Sequence, residues 1–229
     1  ENRYYNFKGL NLSFETLDGL IKHNGPVKDL TKINKILGNN FFKKKIKFSL
    51  NSSLEAQFAS ISDDIAYNSH DLEDGLKSNL FKLKDLKSIP VLDKIIIKHI
   101  KKTNKYSIDL IIRQIIREII NEMVSDVILT TRNNIKISKI KNLDDIYKTK
   151  NQLVTFSNKM KIFDTKIKKF LKQKMYFHNK VNFKTNYGKK VITKLFTSIR
   201  QNPKRYVDIK KYNNSHLERI ICDYIAGMT

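Results

Sequence analysis

The stretch that begins at Ser107 constrains the fold of this chain more than any other part of its sequence. Apolar residues recur there three or four positions apart, at Ile108, Ile111, Ile115, Ile119, Met123 and Val127. An α-helix turns once in about 3.6 residues, so this spacing places them on one helix face. Ser107 is of a residue type that caps helix N-termini. The sequence therefore predicts a long amphipathic helix whose apolar face packs into a core.

Residues that make tight turns are scarce. The 229 residues include 7 Gly and 3 Pro, too few for the many turns of an all-β fold. We therefore predict an all-α, multi-helix globular fold. The sequence contains no linker rich in Pro, Gly or Ser, so we expect a single helical domain over residues 1–229.

Apolar spacing and cap residues indicate where the other helices lie. Helices are predicted between Ser13 and Asn24, at about residues 27–37, 53–80, 159–175 and 184–200, around 95–100, and at 217–228 with Ser215 as its opening residue. Residues 133–142 alternate apolar and polar side chains, a pattern that favours a short extended segment.

Basic residues exceed acidic ones, mainly in the second part of the chain. The net charge is +23, and residues 81–229 hold 34 Lys/Arg against 12 Asp/Glu. Lys makes up 38 of the 45 basic residues, a bias typical of an AT-rich coding sequence that by itself produces a solvated lysine surface. Such a surface also attracts nucleotide phosphates or DNA. The sequence shows no groove-reading motif and no basic–aromatic interleaving suited to base stacking.

Cysteine content and hydropathy indicate the compartment. The single Cys222 cannot form an intrachain disulfide and fits a reducing cytosol; we expect it on the buried side of the last helix. No apolar stretch reaches the roughly 18 residues that span a bilayer. We therefore expect a cytoplasmic protein without membrane contact. The first residue is Glu1 rather than Met, so the natural start is expected upstream.

Polar side chains form one candidate site inside the helix predicted at 53–80. Asp63, Tyr67 and Asp71 are spaced by four, and each step advances only about 40° around a helix axis. Two carboxylates and a phenol on one face suit a divalent metal and a sugar hydroxyl. A solvated polar face has the same pattern, so spacing leaves both interpretations open. We do not interpret His70-Asp71 as a metal-binding pair. A metal site built on such a pair also needs a separate upstream His, and nothing between His23 and the pair resembles such a motif.

Four blocks of sequence, in order along the chain, resemble one known family. They are residues 9–26 (GLNLSFETLDGLIKHNGP), 54–76 (LEAQFASISDDIAYNSHDLEDGL), the weaker 175–181 (MYFHNKV) and 219–229 (RIICDYIAGMT). Together they are similar to the bacterial deoxyguanosinetriphosphate triphosphohydrolases of the HD superfamily.

The resemblance implies an all-α, HD-domain-type fold and hydrolysis of a dNTP, with dGTP favoured, to a deoxynucleoside and inorganic triphosphate. The cofactor it implies is a divalent metal ion, Mg²⁺ or Mn²⁺. By position, Asp63 matches a metal ligand, and Tyr67 and Asp71 match residues that read the sugar 3′-OH. Arg219 and Lys22 match candidate phosphate contacts.

The family's upstream His and His-Asp metal motif normally precede the block at residues 9–26. We therefore expect one of four metal ligands and no catalytic acid or base in this chain, which should be inactive alone. The expected partners are a dNTP, a complementary HD-containing chain and other copies of the protein in a homo-oligomer. The alternative is a non-catalytic basic helical module that binds nucleic acid or a partner protein, with little dependence on Asp63.

Overall fold

Helices make up the regular structure of this protein. The computed structural model describes residues 4–7, 9–37, 46–102, 104–207 and 217–228. Its helices are α1 (Phe14–Ile21), α2 (Thr31–Leu37), α3 (Leu54–Lys77), α4 (Leu92–Ile100), α5 (Ile108–Ile137), α6 (Leu143–Lys148), α7 (Asn158–Leu171), α8 (Asn179–Gln201) and α9 (Leu217–Ala226). Single turns of 3₁₀ or π helix occur at Leu83–Leu86, Lys172–Tyr176 and Pro203–Arg205. No strand occurs in these ranges, which confirms the predicted all-α fold.

The core of the first part of the chain forms where α3 packs against α5. Helix α5 also packs against α4, and α3 contacts α1 and α7. The predicted face of α5 is confirmed, since the side chains of Ile111, Ile115, Ile119, Met123 and Val127 are buried. Burial of each such side chain contributes roughly 1.5–3 kcal/mol, so this helix anchors the core.

Serine caps fix where three of these helices begin. The hydroxyls of Ser13, Ser53 and Ser107 accept hydrogen bonds from backbone N–H groups three residues on, at 3.2, 3.3 and 3.4 Å. Each bond pairs an N–H that the first turn would otherwise leave without an acceptor. The caps predicted at Ser13 and Ser107 are confirmed.

The extended segment predicted at residues 133–142 is wrong. Helix α5 continues to Ile137 and ends where Lys139 takes a left-handed backbone conformation, with φ at 51°. The amides of Lys139 and Ile140 donate to the carbonyls of Lys136 and Ile135, a capping arrangement that pairs the last carbonyls of a helix. The alternation of side chains does not produce a strand, because the backbone stays hydrogen-bonded within the helix.

Other helix boundaries shift by a few residues. The second helix begins at Thr31 rather than near residue 27, and α7 ends at Leu171, before a π turn. Helix α8 begins at Asn179, five residues earlier than predicted, with His178 as its N-cap. Ser215, the predicted start of the last helix, lies outside the described residues.

The chain divides into two compact units, Glu1–Leu171 and Lys172–Thr229. In the second unit, α8 packs against α9, and Arg200 forms an ion pair with Glu218 at 3.4 Å. The expected burial of Cys222 is wrong, since its side chain is exposed. The buried side chains of α9 are those of Ile220 and Ile221, and one further step of about 100° turns residue 222 to solvent.

Over the described ranges, every helix is too short or too polar to cross a lipid bilayer.

Candidate functional site

Helix α3 carries the three polar residues singled out from the sequence. Asp63, Tyr67 and Asp71 follow one another on successive turns, while Ile65, Leu72 and Leu76 bury the other side of the helix. The Asp63 side chain is 70% exposed and Tyr67 is 61% exposed, whereas Asp71 is half-buried. A large aromatic ring that is mostly exposed does not contribute to the hydrophobic core. The Tyr67 side chain is therefore accessible to a ligand.

The loop after α1 brings a histidine to the start of this polar face. The Nε2 atom of His23 lies 3.7 Å from Oδ2 of Asp63. The Ser60 hydroxyl donates to the carbonyl oxygen of His23 at 2.6 Å, which ties the loop to α3. Sequence spacing does not indicate that His23 lies beside Asp63, because 40 positions separate the two residues along the chain.

Close packing of α1 on α3 explains this approach. A Cβ atom on Gly19 would lie 2.8 Å from the Cβ of Ala56, so a glycine is needed for the two helices to come so near. His23 follows Gly19 by one turn, and Ser60 follows Ala56 by one turn. The motif glycine at position 19 is the sequence signal that could have indicated this contact.

The neighbouring carboxylate of Asp64 belongs to a different network. Lys168 on α7 lies 3.2 Å from Asp64 and 3.0 Å from Asp164, and the Asn68 amide donates to Asp164 at 2.8 Å. Burial raises the pKa of Asp164, against the lowering effect of its bonds from Lys168 and Asn68. Of the two adjacent acids, Asp64 is held by α7 and Asp63 faces His23.

Lys22 lies in a buried position within the first unit. Its ammonium group is 2.7 Å from the carboxylate of Asp18, donates to the Asn51 carbonyl at 3.4 Å, and lies 6.0 Å from the centre of the Tyr147 ring. These contacts tie α1 to the segment before α3. A phosphate would have to displace the Asp18 pair to reach this side chain.

Arg219 lies in the second unit, on α9, and is exposed. Its Nε atom donates to both carboxylate oxygens of Asp223, at 2.9 and 3.1 Å. The hydrogen bond and charge of Asp223 raise the pKa of Arg219 further above its usual value, so the guanidinium stays charged.

A cavity of about 510 Å³ opens between α1, α3 and α6. Its lining includes Gly19, His23, Ala56 and Tyr147, together with the carboxylates of Glu15 and Glu55. The pKa of Glu55 is lowered by hydrogen bonds from its own backbone amide and from Ser53, so this side chain is ionised at neutral pH.

No group of three or more His, Cys, Asp or Glu side chains suited to a metal ion occurs in the part of the chain that the structure describes. Asp63 with His23 is therefore at most part of a ligand set. Two such side chains alone do not make the four- or six-coordinate site that divalent metals favour in proteins.

Comparison with known proteins finds one matching family model and several relatives that share a name. Residues 154–229 match the model of the phosphohydrolase-associated domain. The whole chain is 46% identical to a deoxyguanosinetriphosphate triphosphohydrolase-like protein of Pelagibacter ubique (strain HTCC1062) and covers 62% of it. Proteins of the same name from Bartonella tribocorum and Bartonella henselae are 34% and 36% identical over the whole chain, which covers 60% of each. The chain thus spans about three fifths of the length of these relatives.

Proposed function

Since the chain belongs to the family of deoxyguanosinetriphosphate triphosphohydrolase-like proteins of the HD superfamily, we propose that it takes part in hydrolysis of a deoxynucleoside triphosphate. The products are a deoxynucleoside and inorganic triphosphate, and the favoured substrate is dGTP, which the names of the relatives suggest.

One observation carries the proposal: a carboxylate, a phenol and a second carboxylate share an accessible face of α3. In this assignment Asp63 is a ligand of a divalent ion, Mg²⁺ or Mn²⁺, because a carboxylate is a hard oxygen donor. Tyr67 and Asp71 hydrogen-bond the 3′-OH of the sugar. The exposure of the Tyr67 ring supports this role, since the core does not use it.

The metal centre needs more ligands than the described residues bring together. We therefore assign Asp63 to this chain as one ligand and derive no catalytic step through the metal. The remaining ligands and the general acid or base come, in this proposal, from a segment or chain that carries the His and His-Asp motif. The chain alone is expected to bind a nucleotide without hydrolysing it.

The two candidate phosphate contacts, Arg219 and Lys22, differ in accessibility. Arg219 stays a proposed phosphate contact, because its charged side chain is accessible. Lys22 is the weaker candidate, because its ammonium group already bonds Asp18 and Asn51 inside the protein. The cavity beside His23 is not assigned to the triphosphate, because Glu15 and Glu55 would repel a polyanion there.

The experiment compares two nucleotides that differ only in the 3′-OH. Isothermal titration of the chain with dGTP and with dideoxy-GTP, both in MnCl₂, should give tighter binding of dGTP by about tenfold. A hydrogen bond to a charged group is worth about 1.5–3 kcal/mol. Asp71→Asn and Tyr67→Phe should each reduce that preference. Glu73→Gln is the matched control and should preserve it, because this acid of α3 lies about 120° around the helix axis from the centre of the face and pairs with Lys77.

A second arm tests catalysis. A polypeptide with the His and His-Asp motif is supplied in trans, and release of triphosphate from dGTP is followed. Hydrolysis with the wild-type chain and its loss in Asp63→Ala support the proposal. Equal binding of the two nucleotides, or a preference unchanged in Asp71→Asn, would contradict the assignment of the sugar contacts.

A further inference from the structure

The turn that carries His23 is held in place on both sides of this residue. Lys22, which precedes it, is buried, and its carbonyl oxygen accepts from the backbone amide of Gly25 at 2.8 Å. Gly25 has a φ of 96°, in the left-handed region that favours glycine. The carbonyl oxygen of His23 itself accepts from the Ser60 hydroxyl at 2.6 Å. The backbone of His23 is therefore fixed against α3, so its ring lies within reach of the polar face of that helix.

The His23 ring and the Asp63 carboxylate meet across this contact. Nε2 of His23 lies 3.7 Å from Oδ2 of Asp63, and the two side chains are 43% and 70% exposed. This separation is an ion-pair distance but is longer than a hydrogen bond, and rotation of either side chain about its Cβ–Cγ bond changes it. Among the described residues, no other basic side chain comes within ion-pair distance of Asp63, whereas Asp64 pairs with Lys168.

We propose that His23 is a positioning residue that orients the Asp63 carboxylate towards the divalent ion. With a proton on Nε2, the ring donates towards Oδ2 and leaves the other carboxylate oxygen to the ion. Groups that hydrogen-bond a metal-ligating side chain fix its direction, and their loss typically weakens metal binding by about 10–100-fold. The inference rests on the proposed role of Asp63 as a metal ligand, and it adds to that site a residue from the turn after α1.

The alternative is that the His23 ring only fills space. His23 lines the cavity between α1, α3 and α6, together with apolar side chains such as Leu20 and Ala59. A wall of that cavity needs bulk but no N–H group, whereas orientation of a carboxylate needs the N–H group. Leu keeps the bulk of the side chain without an N–H, and Gln keeps an N–H donor. The two roles therefore predict opposite results for His23→Leu and His23→Gln.

The test measures how much MnCl₂ strengthens binding of dGTP to the 229-residue chain. Isothermal titration is run in MnCl₂ and in EDTA, and the ratio of the two affinities is called the metal-dependent gain. In His23→Leu this gain should fall about tenfold or more, because Asp63 loses the group that orients it. In His23→Gln the gain should stay within about threefold of that of the wild type, because the amide supplies the N–H. The affinity measured in EDTA should be the same in all three proteins.

Two further variants control for general effects. His70→Leu is the matched control, because His70 is an exposed histidine of the same helix and lies about 10 Å from Asp63 along the helix axis; it should keep the wild-type gain. His23→Leu is also combined with Asp63→Ala. If His23 acts through Asp63, the double variant should show the same gain as Asp63→Ala alone. Circular dichroism verifies that each variant is folded.

The outcomes separate this inference from the proposed function. A gain that is lost in Asp63→Ala but complete in His23→Leu would overturn the role of His23 and leave Asp63 as a ligand. Equal losses in His23→Leu and His23→Gln, or in His23→Leu and His70→Leu, would overturn it as well. A gain that Asp63→Ala leaves unchanged, or a wild-type chain with no gain, would contradict the proposed metal ligand itself and the role of His23 with it.

Discussion

At the scale of single residues, Gln57 belongs to the sequence block at 54–76, and its side chain has a structural role. Its amide is buried and bonds three backbone groups: Nε2 donates to the Ser52 carbonyl at 2.9 Å, and Oε1 accepts from the amides of Leu153 and Val154 at 2.9 and 3.1 Å. One side chain thus joins the start of α3 to the segment before α7. The sequence places this Gln in the block at 54–76 but does not indicate its bonds to residues 153 and 154.

We predict that Gln57→Leu lowers the free energy of unfolding by about 2–4 kcal/mol. The change leaves three buried backbone groups without their partner, and each such group costs about 1–3 kcal/mol, partly recovered by relaxation. Urea denaturation followed by circular dichroism measures the effect. Gln201→Leu, at an exposed position, should shift stability by less than about 0.5 kcal/mol. Equal midpoints for the two variants would show that the Gln57 bonds are not needed.

Between elements, ion pairs fasten α4 to α5. The Glu118 carboxylate of α5 accepts from Lys98 at 2.9 Å and lies 2.6 Å from Nε2 of His99. Burial acts to raise the pKa of Glu118, but the bonds and charges of Lys98 and His99 outweigh it and hold the pKa below its usual 4.5. A carboxyl with a lowered pKa in the folded state stabilises the protein above its unfolded pKa, and this contribution is lost as the pH falls through the folded value.

The predicted consequence is a Glu118-dependent loss of stability in acid. The free energy of unfolding of the wild type should decline as the pH drops below about 4.5, and Glu118→Gln should make that decline shallower. Thermal unfolding over a pH series from neutral to acid gives the comparison. Glu122→Gln, an exposed acid one turn further along α5, should keep the wild-type slope; a wild-type slope in Glu118→Gln as well would contradict the assignment.

Helix prediction succeeded where a segment is both periodic and capped. α1 and α5 begin directly after the predicted serine caps, because hydroxyl caps and apolar spacing are local properties of the chain. The prediction failed at residues 133–142, where side-chain alternation competed with the hydrogen bonding of a helix already in progress.

At the scale of the whole molecule, the net charge of +23 acts against the compact state by self-repulsion. We predict that added NaCl raises the unfolding temperature, because salt screens exposed like charges. Relief on the order of 1 kcal/mol corresponds to roughly 2–4 °C for a chain of this size. Differential scanning calorimetry at low and physiological salt measures it.

A variant with three fewer exposed lysines tests the same repulsion. Lys136→Gln, Lys139→Gln and Lys141→Gln together remove three positive charges, so this variant should unfold at a higher temperature in low salt and gain less from added NaCl. A wild-type unfolding temperature that falls on addition of NaCl would mean that attractive pairs, such as Lys168 with Asp164, outweigh the overall repulsion.

What the sequence by itself determined follows from local spacing. The all-α class, the face of α5 that enters the core and the shared face of Asp63, Tyr67 and Asp71 all depend on positions three or four residues apart. In a helix, such spacing determines the face on which each side chain lies. The resemblance to the triphosphohydrolase family rests likewise on contiguous blocks.

Only the tertiary structure decided which of these side chains meet and which stay in water. It brings His23 to Asp63, binds Asp64 to α7, buries Lys22 against Asp18, and leaves the Tyr67 ring exposed. Each outcome depends on which distant segment covers a helix face, and a one-dimensional pattern does not contain that information. Spacing defines the faces of each helix, and packing between helices decides which face is covered.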